Sequence, residues 1–201
     1  MNINTKKEIM KKITLLLMFG LAMASQAAAQ GAAPRVKVLT TPEEPTQKTV
    51  LLGRALAGDM IIMFEIEPAK GMWMLMGKPP KWIEHSPSAA EKFHLEVKPI
   101  DPKSKTRIPY AEVRFKAVNK DNRKKVEGVL HPMWGGSGLH YAMNSALAGD
   151  GSYEAQITVG VPAVARAPQD KDMWRKASTA TFHFKFKEGK LVEVSEPEVD
   201  G

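Results

Sequence analysis

The chain has 201 residues, no Cys and a formal net charge of +7. The lack of Cys excludes disulfides and any thiolate metal site, and the length admits one domain with its own core. Four Lys and one Glu fall in the first 29 residues, so the remainder carries only +4; its basic residues are scattered, apart from Arg123-Lys124-Lys125, which excludes the electrostatic footprint of a nucleic-acid binder.

Residues 1–29 read as a secretion signal. Lys6, Lys7, Lys11 and Lys12 form a positive n-region, Ile13 to Ala24 an apolar core, and Ala27-Ala28-Ala29 the small residues a signal peptidase needs, with Gln30 as the mature start. The apolar run falls short of the roughly 20 residues that span a bilayer, which weighs against an uncleaved anchor. No Cys follows it, so lipidation there is excluded. The expected address is a bacterial periplasm. Residues 30–47, rich in Ala, Pro, Thr and Glu, read as a flexible lead.

From Lys48 onward the chain is punctuated like an all-β protein. Val50 to Leu52 and Asp59 to Glu67 are strand-like runs broken by Gly53 and Gly58. Phe93 to Val97 and Glu112 to Val118 alternate with period two. Asn119 to Asn122 is a turn, and Lys125 to Leu130 returns to close a hairpin. Asn144 to Ala148 is expected to make one helical turn. Gly149-Asp-Gly-Ser-Tyr153 leads into a strand ending at Val159, and its Tyr stands where immunoglobulin-like domains carry one before a late strand. Ser178 to Lys187 alternates most clearly, with Ala180, Phe182, Phe184 and Phe186 on one face and His183 on the solvated other. The pattern predicts an all-β, immunoglobulin-like β-sandwich in a single domain over 48–190, with a C-terminal tail over 191–201.

For catalysis the sequence offers little. It has no Gly-x-Ser-x-Gly, no P-loop, no dinucleotide fingerprint and no Cys nucleophile. Metal ligands are better represented. His94 and Glu96 are two apart on a strand and share a face, an imidazole and a carboxylate side by side. In His131-Pro-Met-Trp-Gly-Gly-Ser-Gly-Leu-His140 the glycines form a loop that brings Met133 and His140 together, and thioether with imidazole favours copper. Met72, Met74 and Met76 would line one face of an extended segment, as a platform for a soft metal or as ordinary packing. Each piece alone also has an ordinary reading. His94 and Glu96 would be solvated, Met133 would pack in the core, and His140 would bond a backbone carbonyl.

Taken in order, Glu67 to Met72, Phe93 to Glu96, Ile108 to Tyr110, Asn119 to Gly128, Pro132-Met133, Gly138 to Tyr141, Gly149 to Tyr153, Met173-Trp174 and Phe182 to Phe186 resemble the periplasmic P19-type iron-transport proteins, which include the Tp34 lipoproteins. The resemblance runs from about Gly58 to Lys187. It implies a homodimeric immunoglobulin-like sandwich with a copper or iron site, serving an inner-membrane iron permease. Carried onto this sequence, the implied ligands are His94, Glu96, Met133 and His140, with Met72 close by. The chain departs from the pattern in two places. Residues 164–173 lack a His that several members supply there, for which His131 is the available substitute, and Trp73 to Ser86, which holds His85, is a longer insertion. The expected function is therefore a periplasmic metal-binding protein for iron uptake. Two alternatives stand beside it: a copper chaperone built on the Met segment, and a metal-free assembly or adhesion sandwich.

Overall fold

The structure is a computed structural model and describes residues 35–199. The expected signal therefore lies outside the described residues. In chain order the strands are β1 (Val36–Glu43), β2 (Val50–Ala57), β3 (Met60–Pro68), β4 (Met72–Met76), β5 (Lys81–His85), β6 (Phe93–Ile100), β7 (Val113–Asn119), β8 (Lys125–Gly135), β9 (Gly138–Ser145), β10 (Gly151–Val159), β11 (Ser178–Lys187), β12 (Lys190–Ser195) and β13 (Glu198–Val199). The one helical element among the described residues is a 3-10 turn, Pro168–Asp170.

Period-two alternation sets the facing of the strands. In β7, Val113, Phe115, Ala117 and Asn119 are buried while Arg114 and Lys116 are exposed. In β11 the buried positions are Ser178, Ala180, Phe182, Phe184 and Phe186. All pairings are antiparallel, in the order β1-β12-β11-β10-β7-β8-β9-β6-β3-β2. The long strand β8 joins two layers, since Lys125 to Leu130 pair with β7 and His131 to Gly135 pair with β9. Phe64 of β3 meets Phe115, Phe182 and Phe184 of the other layer at centroid distances of 6.0, 5.4 and 6.3 Å. These edge-on and tilted contacts place the apolar core between the layers. The all-β single-domain expectation holds.

Tyr153 behaves as the sequence anticipated. Its hydroxyl donates to the Gly149 carbonyl and accepts from the Ala148 N–H, tying β10 to its preceding turn. Elsewhere the sequence expectations need correction. Residues 30–47 are not all lead, because β1 pairs with β12. Residues 191–201 are not all tail, because β12 pairs with β11 as well and β13 also pairs with β11. Both segments gain ladder hydrogen bonds that composition alone does not reveal. Asn144 and Ser145 continue β9 and pair with β6 rather than starting a helical turn. The outer face of β11 is only half-solvated, since β13 runs alongside and brings Glu198 to 3.4 Å from His183 Nε2.

Candidate metal centre

Antiparallel register gathers the site. On β6, Leu95 and Val97 face the core, so His94, Glu96 and Lys98 point outward. Their partners on β3 are Glu67, Glu65 and Met63. On β9, Asn144 lies opposite His94 and Ala142 opposite Glu96. Continuing that register past the pair Val97–Tyr141 puts Lys98 beside His140, which in turn faces Met133 on β8. One sheet face therefore carries two imidazoles, a thioether, three carboxylates and an ammonium.

That face is not solvated. His94 is 0 % exposed, His140 1 %, Glu96 3 % and Lys98 5 %. Burial without partners would be costly, so the hydrogen bonds decide what this face is for. Asn144 Nδ2 donates to the Lys70 carbonyl and Asn144 Oδ1 accepts from the Lys70 N–H, which fixes the orientation of the amide. The same Oδ1 lies 2.9 Å from His94 Nδ1, which must then carry the proton. His140 Nδ1 lies 2.9 Å from the Gly138 carbonyl and also must donate. In both rings Nε2 keeps its lone pair, is buried and has no partner. A ligating His has this arrangement, with the remote nitrogen anchored and the near one free.

The two ring centroids are 6.3 Å apart and nearly perpendicular. An ion about 2.0–2.1 Å from each Nε2 sits roughly 3.2 Å from each centroid, so one ion reaches rings up to ~6.4 Å apart. Gly135 gives His140 its room, because a Cβ there would stand 3.1 Å from His140 Cε1. The residues present thus fit a copper- or iron-type ion held by His94, His140 and the thioether across from His140.

Glu96 is differently engaged. Its Oε1 accepts from Ser137 Oγ at 2.8 Å and pairs with Lys98 Nζ at 2.7 Å. Lys98 also bonds Glu65. Burial would raise the Glu96 pKa, but the hydrogen bonds from Lys98 and Ser137 and the nearby positive charge outweigh it and hold the carboxyl at about 2. Burial pulls the Lys98 pKa down, and its bonds to Glu65 and Glu96 overcome this and raise it. For His94 burial dominates and lowers the pKa, so the ring is neutral near neutrality and competent as a ligand. Among the described residues no three His, Cys, Asp or Glu are gathered closely enough to hold an ion by themselves.

The remaining predicted residues lie at the edge. Met72, Met74, His131 and Met133 line a groove of about 750 Å³ with Trp73, Trp82 and Trp134. Met72 is buried and pairs with His85 across the separate β4–β5 ladder. His131 is exposed at the rim, on the same face of β8 as Met133. Met76 is exposed, so ordinary packing does not account for it. The glycine-rich stretch is not a long loop either, because Gly135 pairs with Gly138 and only Gly136 and Ser137 turn the β8–β9 hairpin. Met133 and His140 therefore converge through strand register. Sequence reasoning missed Lys98, Glu65, Glu67 and Asn144. For Lys98 the signal was present, because period-two alternation carries on from His94 and Glu96 to Lys98.

A family model described as Fe2+ transport protein matches residues 80–188, more than half of the chain. No curated protein sequence matches it. Among solved structures, copper-reconstituted P19 from Campylobacter jejuni is similar, with 20% identity, a TM-score of 0.56, and coverage of 75% of this chain and 99% of that one. A copper-bound variant of the same protein gives 20% identity and a TM-score of 0.56 over 69% of this chain and 98% of that chain. A copper-bound variant of FetP from uropathogenic Escherichia coli strain F11 gives 20% identity and a TM-score of 0.51 over 77% and 93%. These likenesses concern the fold. The matched segment contains His94, Glu96, Lys98, Met133 and His140, and on that match the chain belongs to the Fe2+ transport protein family.

Proposed function

We propose that the chain is a periplasmic metal-binding protein that serves iron uptake, with copper or iron as its cargo at the His94–His140 centre. The observation that carries this reading is the pair of buried, partnerless Nε2 atoms, each on a ring anchored through Nδ1. Two imidazoles and the Met133 thioether make a set soft enough for Cu(I), while Glu96 is the hard donor that iron or manganese would call on. Family membership and the copper-bound neighbours support the choice of metals. The protein works as a homodimer and hands its ion to an inner-membrane iron permease.

The groove beside the centre favours one alternative. Met72 and Met74 line it together with Met133 and His131, as a copper chaperone binding through thioethers would require. Copper titration of Met72→Ala and Met74→Ala separates the two readings. Loss in these variants with His94→Ala unaffected supports the chaperone, and the reverse supports the imidazole centre. On a sizing column, elution at twice the chain mass goes with the dimer.

A further inference from the structure

Lys98 is a charge in an unusual place. It sits on β6 two residues beyond Glu96, on the same face, 5 % exposed, in the strand row that holds His140 and Met133. Its Nζ is 2.7 Å from Glu96 Oε1 and bonds Glu65 as well. Glu65 and Glu96 are register partners on adjacent strands. The ammonium thus lies between two buried carboxylates, one of which belongs to the metal centre.

We infer that Lys98 is a specificity-determining residue: its ammonium is a built-in cation that occupies the Glu96 carboxylate, so an ion recruiting Glu96 must first displace it onto Glu65. This rests on reading His94 and His140 as metal ligands. Ions that need a carboxylate, such as Mn(II) and Fe(II), must break the Lys98–Glu96 pair, whereas Cu(I) is served by the imidazoles and the thioether. Coulomb repulsion from Lys98 also scales with the charge of the ion, so it opposes a dication twice as strongly as a monocation at the same distance. Both effects bias the centre towards Cu(I). Glu65 lets the pair open without stranding the ammonium, since Lys98 keeps one buried partner after it lets go of Glu96.

The test compares Cu(I) and Mn(II) affinities of the purified protein by anaerobic competition against chromophoric chelators. Removing Lys98 alone leaves two carboxylates facing each other, so the double variant Lys98→Leu with Glu65→Gln keeps the site foldable and adds no donor. It should bind Mn(II) roughly tenfold or more tightly than wild type, with Cu(I) affinity changed by less than about threefold. Glu65→Gln alone leaves Lys98 wholly on Glu96 and should weaken Mn(II) binding while sparing Cu(I). Equal shifts for both ions in both variants, or none, would overturn the inference, because a merely structural role moves the two affinities together. His94→Ala is the control. If it loses Cu(I) while the Lys98 variants keep the wild-type ratio, the metal centre stands and only the role of Lys98 fails. If wild type binds neither ion, the reading of the centre fails and the inference with it.

Discussion

At the scale of single residues the candidate centre depends on what holds its proposed ligands. Asn144 accepts from His94 Nδ1 and is itself held by both backbone groups of Lys70. Such outer contacts typically contribute about 10–100-fold in metal affinity. Asn144→Ala should therefore weaken copper binding by roughly tenfold or more while the far-ultraviolet spectrum stays that of the wild type. Unchanged affinity would show that the His94 ring needs no anchor. The charged groups also set a pH dependence for the metal-free protein. Burial lowers the pKa of His94 below 6.5, and the Glu96 pKa falls from 4.5 to about 2. Below each unfolded value the unfolded chain binds the proton more readily, so stability drops as pH falls. The loss from His94 begins near 6.5, and the loss from Glu96 runs from 4.5 to about 2. Urea midpoints measured down that range should fall in two stages, and a midpoint independent of pH would contradict the assignment.

At the scale of elements, the strand pattern was legible where only one face is buried. β7 and β11 alternate, and their facing follows directly from sequence. β6 is buried on both faces, so alternation showed that His94 and Glu96 share a face but not that the face is covered. The cover depends on the segment around Lys70 and on the β8–β9 hairpin, both distant in sequence. Met133 and His140 were paired correctly for a different reason, since register rather than a flexible loop joins them. β1 and β12 are not readable from sequence because β1 gains its order from pairing with β12, and β12 from pairing with both β1 and β11, rather than from an apolar run of their own. The corner at Tyr153 was legible as a motif, and it has a measurable weight. Tyr153→Phe removes the donor to Gly149 and the acceptor for Ala148. The variant should lose about 1–3 kcal/mol in urea unfolding, with metal affinity unchanged. A loss of metal affinity of the same size would mean that β10 supports the centre directly.

At the scale of the whole molecule, a two-layer sandwich separates stability from function. The aromatic core around Phe64 lies between the layers, and the candidate ligands lie on the outer face of one of them. A rigid sheet thus holds the donors in fixed rows, which favours selective binding over structural dependence on the ion. The resemblance to the iron-transport family was legible from ordered short motifs, whereas the charge balance of the centre was not, because Glu65 and Lys98 meet only through strand pairing. The most direct test of the proposed metal centre is titration of the purified protein with Cu(I), Cu(II), Fe(II) and Mn(II), alongside His94→Ala and His140→Ala. Binding near one ion per chain is expected, weakened roughly tenfold or more in each variant. Wild-type affinity retained in both variants, or no binding of any ion to the wild type, would contradict it.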